Sequence, residues 1–402
     1  MKKNVLVLGS GGREHALVWS FSNDENVKKV YCAPGNGGTS SIAENITVNL
    51  ANHQEIIRLV REKEIDLTVV GPENPLANGI VDIFHKEGLR IFGPDAYGAQ
   101  LESSKLFARD LMSKLNILQP SYYSCDTKSD IDSLKNILGL PLVLKADGLA
   151  AGKGVIICKK EREYQQALID IFDLNQFGSA CNRISLEKYL DGEELSVFAV
   201  CDGEKYSILN SAKDHKRIFD NDKGPNTGGM GAFSPTSLAT EKIIDRVGKE
   251  IIQPVLNEMI NRGHPYIGFL YVGLMIVNDD PYVIEFNVRL GDPESQVIIP
   301  LLKSSLFELL WNASEGKLQN SKINISDKVA VSVVLASEGY PGKYKTGYKI
   351  KGLDSINNKL IFHAGTQRQD HDFVTTGGRV LNVVGVEENL SSAIKDVYTT
   401  IK

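Results

Sequence analysis

The chain has 402 residues, more than one hydrophobic core usually serves, so we expect two to four domains. A net charge of −5 argues against nucleic acid as the main partner, because phosphate backbones attract basic surfaces. No signal peptide and no apolar run of membrane-spanning length are evident, so the sequence predicts a cytoplasmic protein without membrane contact. The five cysteines lack C-x-x-C spacing and are typical of reduced thiols.

The N-terminal quarter of the chain alternates between predicted strands and helices. Strands are expected at residues 5–8, 30–32, 66–70 and 90–92, and helices at 13–22, 53–63 and 80–87. Strands that alternate with helices of this length indicate βαβ units and a parallel sheet.

The pattern changes after Gln100, where a helix at 105–115 leads into a predicted linker at 119–121. Strands at 143–145, 155–158 and 183–189, with a helix at 162–172, indicate a small α+β unit. Longer strands and helices at 241–261 and 305–314 follow, up to a polar boundary at 317–328. The remainder is mainly strands, with a final helix at 390–399. The predicted fold class is a multidomain α/β and α+β protein with an N-terminal parallel sheet.

A first glycine-rich turn, Gly9-Ser10-Gly11-Gly12, joins the first strand to the first helix. Such a turn presents backbone N–H groups to an anion. It is not a dinucleotide fingerprint, because Glu14 takes the third glycine position and no acidic residue ends the second strand. Two interpretations stay open. The turn contacts a phosphate of another substrate near Arg13, which we favour because unused glycines lower stability, or it only connects strand to helix.

A second glycine-rich loop, residues 145–155, lies between two apolar strands. It is not a Walker A loop, because Lys153 is followed by Gly154 and a strand instead of a helix. The pattern predicts a hairpin that folds over phosphates, with Lys145 fixed on the preceding strand and Lys153 on a closing flap. The alternative is an ordinary hairpin with a long turn, although such turns need only one or two glycines.

The most specific segment is the strand that ends in Glu285-Phe286-Asn287-Val288-Arg289. Because side chains alternate along a strand, Glu285, Asn287 and Arg289 share one face. A carboxylate and an amide oxygen suit Mg²⁺, which leaves its other positions to water and phosphate. The arginine would hold a phosphoryl group, and Asp292 and Glu294 follow in a turn. The alternative is a half-exposed edge strand with a polar outer face.

Two further segments are informative only in combination. The basic stretch 213–217 lies close to the glycine-rich stretch 225–231, and together they favour an anionic substrate over a solvated surface turn. The acidic turn after Glu187 could offer its backbone to adenine and Glu194 to a ribose, but alone it is only a charged turn. No Ser/His/Asp or Cys/His arrangement stands out.

These motifs together resemble the phosphoribosylamine–glycine ligase family of ATP-grasp enzymes along nearly the whole chain. The matching segments, in order, are residues 9–16, 33–39, 70–73, 145–155, 214–216, 224–232, 285–294, 339–342 and 363–366. The resemblance implies a preATP-grasp domain at 1–101, an ATP-grasp domain at 102–316 with a small lobe at about 121–190, and a mostly β C-terminal domain at 328–402.

The resemblance also implies an activity. Family members ligate glycine to 5-phosphoribosylamine in purine biosynthesis, converting ATP to ADP and phosphate and forming glycinamide ribonucleotide. Our hypothesis for the mechanism is a glycyl phosphate intermediate. ATP with Mg²⁺ or Mn²⁺ is the implied cofactor set, and the two small molecules are the implied partners. The oligomeric state does not follow from the sequence, and a monomer is compatible with it.

The site residues that the resemblance implies fall into four groups. The catalytic group is Arg289, Lys145 and Asp292. The metal ligands are Glu285 and Asn287. The ATP-binding group is Lys105, Lys145, Gly148, Gly152, Lys153, Gly154, Glu187, Leu190 and Glu194. The substrate-binding group is Gly11, Gly12, Arg13, Glu14, Asp214, Lys216, Asn226, Thr227, Gly228, Gly229, Arg289 and Asp292.

One departure and two rival readings accompany this assignment. The neighbouring strand, residues 272–276, carries no acid where many other ATP-grasp enzymes place a metal ligand. The first rival is another ATP-grasp carboxylate–amine ligase or a biotin-dependent carboxylase. The second is a non-catalytic ATP-binding protein, against which the intact Lys145, Glu285, Asn287 and Arg289 weigh.

Overall fold

The computed structural model of the chain describes residues 2–149, 154–173, 183–221, 223–356 and 358–402. Its N-terminal part is a parallel sheet in the order β3-β2-β1-β4-β5. The strands are β1 (Lys3–Gly9), β2 (Val27–Pro34), β3 (Glu44–Asn45), β4 (Leu67–Val70) and β5 (Ile91–Phe92). The helices are α1 (Gly12–Ser22), α2 (His53–Glu62), α3 (Glu73–Ala77), α4 (Ile80–Lys86) and α5 (Gln100–Ser103). The parallel sheet predicted from the alternation is confirmed.

The apolar run in β1 explains its central position in this sheet. Val5, Leu6, Val7 and Leu8 are all fully buried. The strand pairs with β2 on one side and β4 on the other, so that both of its faces are covered by other elements. A continuous apolar run is what a strand buried on both faces requires.

The next part is a small lobe with its own sheet and core. Its sheet order is β6-β9-β7-β8, with antiparallel pairs. Helix α6 (Lys105–Lys114) precedes it. The lobe consists of β6 (Tyr122–Cys125), α7 (Lys128–Leu138), β7 (Leu142–Ala146), β8 (Val155–Cys158), α8 (Glu161–Leu168) and β9 (Ile184–Lys188). A π-helical turn, Ile169–Asp173, extends α8, so the helix predicted at 162–172 is present, whereas β6 and α7 were not predicted.

The large lobe supplies the long antiparallel strands. These are β10 (Glu193–Gly203), β11 (Tyr206–Asp214), β12 (Arg217–Phe219), β13 (Lys223–Asn226), β14 (Gly231–Ser234), β15 (Tyr266–Val277) and β16 (Asp280–Asn287). Its helices are α9 (Glu241–Arg246) and α10 (Gln253–Asn261), joined by a π-helical segment, followed by α11 (Ser295–Ile298) and α12 (Leu306–Ser314). The predicted helix at 241–261 is thus one continuous helical rod.

Three of the C-terminal strands extend the sheet of the large lobe, and three form a small sheet of their own in the order β18-β21-β20. The six strands are β17 (Val329–Ala336), β18 (Lys349–Ile350), β19 (Leu360–His363), β20 (Thr366–Gln369), β21 (Asp372–Thr375) and β22 (Arg379–Glu387), with helix α13 (Leu390–Ile401) after them. Strand β17 pairs with β14, giving an eight-stranded sheet in the order β16-β15-β10-β11-β14-β17-β22-β19. The domain limits at 101, 316 and 328 stay a prediction.

One hydrophobic core connects all three parts of the molecule. Val7 of the N-terminal sheet, Phe198 of the large lobe and Phe362 of the C-terminal part belong to the same buried cluster. This shared core brings the end of β1 and strand β22 close to the large lobe, and we call the region between them and the end of β16 the cleft. In the described ranges, no helix is both long enough and apolar enough to cross a membrane.

Candidate active site

The second glycine loop is a hairpin, as the sequence predicted. Strands β7 and β8 are antiparallel, with Lys145 opposite Val155. The N–H of Ala146 donates to the Gly154 carbonyl at 2.9 Å, which closes the base of the loop. Gly148 follows the end of β7, whereas Gly152 and Lys153 lie outside the described residues.

Lys145 lies in a buried charge network that joins the two lobes. Its Nζ is 3.0 Å from a carboxylate oxygen of Glu187 and donates to the carbonyl of Ile284 at 2.7 Å. Arg109, on α6, donates to both Glu187 oxygens, at 2.9 and 2.7 Å, and to the carbonyls of Val283 and Ile284. Strand β16 is thereby tied to β7 and β9, and the Lys145 ammonium is held beside the residue that precedes Glu285.

Glu187 is a counter-ion in this network. Burial alone would raise the pKa of its carboxyl, but the charges of Lys145 and Arg109 outweigh burial and lower that pKa. The hydroxyl of Ser185 adds a hydrogen bond at 3.0 Å. The Glu187 carboxylate is therefore ionised, and its oxygens are already bonded to protein groups. We expect any contact with adenine to come from the residues that follow Glu187.

Glu285 is the free carboxylate of the site. Among the described residues it has no ion-pair partner within 4.0 Å, although four cations surround it at longer range. Burial would raise the pKa of its carboxyl, but these cations outweigh burial and lower it to about 2: Lys216, Lys105, Lys145 and Arg289. Glu285 is therefore ionised at neutral pH and open to a metal ion.

Asn287 and the neighbouring strand complete the donor set. Asn287 is buried, and among the described residues its Oδ1 accepts only a long, 3.4 Å hydrogen bond from Arg289. Gly273 on β15 lies opposite Glu285, where a Cβ would come within 2.9 Å of the Glu285 side chain. A carboxylate and an amide oxygen fit Mg²⁺, which takes water and phosphate at its remaining positions.

Arg289 is held by two glutamates from the N-terminal part of the chain. Its Nη2 is 2.8 Å from Glu102 and its Nε is 3.4 Å from Glu73. Glu102 also accepts the Val288 N–H at 2.8 Å, which fixes the end of β16. Burial raises the pKa of the Glu102 carboxyl, while the positive charges of Arg289 and of Lys105, the first residue of α6, act to lower it. The guanidinium is thus positioned toward the cleft on a rigid support.

The segment between β9 and β10 joins the small lobe to the large lobe. Within the described chain, the backbone groups of Tyr189 and Leu190 make no hydrogen bond, so their edge is available to a ligand. Glu194, the predicted ribose contact, pairs with Lys216 at 2.7 Å. Lys216 Nζ lies 3.9 Å from Asp214, so the basic stretch and the acidic turn meet at one place.

The first glycine turn is occupied by carboxylates of the protein itself. The Gly11 N–H donates to Glu14 at 2.6 Å, and the Arg13 N–H donates to Asp292 at 3.0 Å. Gly12 is packed so closely that a Cβ would come within 2.4 Å of the Gln296 amide. Gln296 in turn donates to Asp292 at 2.8 Å. The structure therefore brings the turn and Asp292 together, and their contact with substrate stays a prediction.

The stretch from Asn226 to Gly229 is anchored to two other parts of the site. Asn226 ends β13 opposite Arg217, and Thr227 donates twice to the Lys216 carbonyl, at 2.8 Å each. Arg379, on β22, donates to the Gly228 carbonyl at 2.6 Å and also to the Asp292 carbonyl. The glycine stretch therefore borders the same cleft as Asp292.

Sequence reasoning missed several residues that support the site. Arg109, Glu102 and Arg379 position catalytic candidates. Asp147 accepts a hydrogen bond of 2.8 Å from the Ser104 hydroxyl, which ties the hairpin to the start of α6. Asp147 lies in the second glycine-rich loop, but Arg109, Glu102 and Arg379 lie outside both glycine loops and the polar face of β16. The available signal was weak: Glu102 and Arg109 flank the predicted Lys105 on short helices.

Comparisons with known proteins agree with this arrangement. Models of the phosphoribosylglycinamide synthetase N domain, ATP-grasp (A) domain and C domain match residues 3–102, 103–295 and 330–402. The chain is 45% identical over 401 residues to a phosphoribosylamine–glycine ligase of Neisseria meningitidis serogroup B, covering 99% of this chain and 95% of the relative.

Solved structures give the same picture. The crystal structure of phosphoribosylamine–glycine ligase from Thermotoga maritima superposes with a TM-score of 0.86 at 33% identity, over 99% of this chain and 96% of that one. The biotin carboxylase domain of a Hydrogenobacter thermophilus 2-oxoglutarate carboxylase reaches a TM-score of 0.73 at 16% identity, over 100% and 89% of the two chains, which shows a shared fold alone. The chain therefore belongs to the phosphoribosylglycinamide synthetase family, the phosphoribosylamine–glycine ligases of ATP-grasp type.

Proposed function

We propose that this protein ligates glycine to 5-phosphoribosylamine and converts ATP to ADP and phosphate in the same reaction, a step of purine synthesis. The observation that carries the proposal is the convergence of Lys145 and Glu285 on one cleft, through the contact of Lys145 with Ile284. An ammonium held beside the residue that precedes a free carboxylate suits a nucleoside triphosphate with its cation. A cytoplasmic location and two small-molecule substrates belong to the same proposal.

ATP would lie between the small lobe and the large lobe. The unpaired backbone at Tyr189 and Leu190 supports binding of the adenine edge, and Glu194 is near enough for the ribose. Lys105, Lys145 and the hairpin residues Gly148, Gly152, Lys153 and Gly154 would contact the phosphates. Glu285 and Asn287 would hold Mg²⁺ or Mn²⁺, which when bound neutralises phosphate charge.

Glycine's carboxylate is a poor electrophile, so it needs activation. In the proposed reaction a carboxylate oxygen of glycine takes the γ-phosphoryl group of ATP, and ADP leaves. The amine of phosphoribosylamine then attacks the carbonyl carbon, loses a proton, and phosphate departs with that oxygen. Arg289 and Lys145 would stabilise the charge that develops on the phosphoryl group. The reaction requires no covalent nucleophile from the protein.

The remaining predicted residues would bind the two other substrates. Asp214 and Lys216 lie beside Glu194 on the large lobe, and Asn226, Thr227, Gly228 and Gly229 adjoin them. Gly11, Gly12, Arg13, Glu14 and Asp292 form the opposite side of the cleft. This division supports an amine site between the N-terminal turn and the Asn226–Gly229 stretch.

The decisive assay is ADP release from ATP and Mg²⁺, with glycine and with phosphoribosylamine generated in situ. We expect ADP only when both substrates are present, with glycinamide ribonucleotide detected by mass spectrometry. ADP release that depends instead on bicarbonate and biotin would support the carboxylase reading. ATP binding without turnover under any of these conditions would support the non-catalytic reading.

A further inference from the structure

We propose that Glu294, together with Asp214, forms the receptor for the α-ammonium group of glycine. The inference rests on the proposed function, since glycine is the substrate there that carries an ammonium beside the carboxylate to be activated. Glu294 has no role in the assignments above. It follows the Asp292-Pro293 turn and directly precedes α11.

The first observation is a buried carboxylate without an ion-pair partner. Glu294 is 4% exposed, and no cationic side chain of the described residues lies within 4.0 Å of its carboxylate, which accepts a hydrogen bond from its own backbone N–H. The side chain folds back over Gly291, where a Cβ would come within 2.4 Å of its oxygen. The ionised form of a buried carboxylate is unfavourable without a cation beside it, and a bound cation would remove this cost.

The second observation is a second acid in the same place. Asp214 ends β11, α11 packs against that strand, and the Asp214 side chain is 5% exposed. Its nearest cation, Lys216, is 3.9 Å away and is drawn toward Glu194, at 2.7 Å. The carboxylates of Asp214 and Glu294 are therefore buried close together, with too little positive charge beside them to neutralise both.

The electrostatics of the pair agree with this geometry. Burial, followed by the negative charge of Asp214, raises the pKa of the Glu294 carboxyl to about 7. Burial also raises the pKa of Asp214, against the charge of Lys216, and Glu285 is near enough to add to the shift. An incoming cation would remove this repulsion and allow both carboxyls to ionise.

The missing cation is better supplied by an ammonium group than by a metal. An ammonium offers three N–H donors, which two carboxylates can accept. The other cation that acts on Glu294, Arg289, is already paired with Glu102 at 2.8 Å and Glu73 at 3.4 Å.

This arrangement would serve the chemistry of the reaction. A glycine nitrogen held as ammonium has no lone pair, so it cannot attack an activated carboxylate. Only the second substrate then acts as the nucleophile. The pair would also exclude small carboxylic acids that lack the amino group, because they would leave both acids uncompensated.

The test compares Glu294→Gln with the native protein in steady-state assays at saturating ATP, Mg²⁺ and amine. We expect the KM for glycine to rise roughly 10- to 100-fold, as for loss of a charged hydrogen-bond partner, with the KM for ATP within twofold. Glu258→Gln is the matched control: this buried acid on α10 pairs with Lys114 and Arg262, and the variant's KM for glycine should not change. An unchanged KM for glycine in Glu294→Gln would overturn the inference.

A binding measurement separates this inference from the proposed function. Calorimetric titration of the MgADP-loaded native protein should detect glycine but not glycolate, which replaces the ammonium with a hydroxyl. Glu294→Gln and Asp214→Asn should each lose glycine binding while still binding ADP. Equal binding of glycine and glycolate by the native protein would refute the ammonium receptor. Selective glycine binding without any turnover would keep the receptor and refute the ligase activity.

Discussion

The ammonium of Lys145 donates a 2.7 Å hydrogen bond to the carbonyl of Ile284, the residue before Glu285. This contact joins the small lobe, which carries the glycine-rich hairpin, to the strand that carries the metal candidates. A lysine and a carboxylate that are 140 positions apart in the sequence numbering (285 − 145) therefore meet at one cleft. The electrostatic core of the proposed triphosphate site depends on this relationship.

Lys145→Met should impair catalysis without unfolding the protein. Arg109 still neutralises Glu187 in this variant, so the buried carboxylate keeps a partner. We expect kcat/KM for ATP to fall by about 10²–10³, the usual effect of removing one preorganised charge partner. Lys135→Met is the control, because Lys135 forms a similar pair with Glu161, at 2.9 Å, on the outside of the small lobe. A loss of less than tenfold in Lys145→Met would contradict the assignment.

Arg109→Met should mainly lower stability. The Arg109 and Glu187 side chains are 2% and 1% exposed, so removing the guanidinium leaves a buried carboxylate with Lys145 alone. Breaking a buried pair in this way costs about 3–5 kcal/mol. Urea unfolding measures the change, and Arg109→Lys should show a smaller loss because it keeps the charge but not the two-point contact. A change below about 1 kcal/mol in Arg109→Met would mean that the network is not coupled to folding.

Glu285→Gln should abolish most turnover. The variant keeps the shape of the side chain but removes the charge that would bind the cation, so we expect a fall of about 10²–10³ in kcat. A higher Mg²⁺ concentration should also be needed for half-maximal activity. Chelation of the metal by EDTA should stop the native enzyme. Native-like kinetics in Glu285→Gln would remove Glu285 from the metal site.

Glu285→Gln should also lower the stability of the folded protein at neutral pH. The pKa of the Glu285 carboxyl is about 2 in the folded protein, below its ordinary value of 4.5. A lowered carboxyl pKa adds stability above the unfolded value, and that stability is lost as the pH falls through the folded value. Glu285→Gln should therefore be less stable than native at pH 7, by roughly 1–3 kcal/mol. Denaturant unfolding at pH 7 and pH 3 should show the difference shrinking at the lower pH.

Glu294→Gln should have the opposite effect on stability. The pKa of the Glu294 carboxyl is raised to about 7, with Asp214, Lys216 and Arg289 as its charged neighbours. Because the folded state holds a proton that the unfolded state releases near pH 4.5, native stability falls as the pH rises toward 7. We expect Glu294→Gln to be more stable than native at pH 8 by roughly 1–3 kcal/mol, with little difference at pH 4. Melting temperatures that differ equally at both pH values would contradict this.

The sequence predicted the local features of the site because each lies within one segment. Alternation along β16 put Glu285 and Asn287 on one face, and the apolar strands around residues 145–155 indicated a hairpin. The contacts that join distant segments could not be derived in this way. Arg109 and Glu187 are 78 positions apart, and Arg13 and Asp292 are 279 apart, so only the assembled sheets bring them together.

The N-terminal glycine turn is a second place where the sequence alone could not identify the partner of a motif. Its glycines predicted an anion at the start of α1, and an anion is present there, but it is the carboxylate of Asp292. Likewise, Gly12 is required by the close approach of Gln296 and Asn382, which belong to α11 and β22. Composition alone could not distinguish a turn built for a ligand from a turn built for a neighbouring segment.

The most direct test of carboxylate activation is isotope transfer from glycine labelled with ¹⁸O in its carboxylate. The purified protein would be supplied with ATP, Mg²⁺ and phosphoribosylamine, and the released phosphate analysed by mass spectrometry. The account predicts one ¹⁸O atom in each phosphate formed, because the phosphorylated carboxylate oxygen leaves with the phosphoryl group. Product formation with unlabelled phosphate would contradict it.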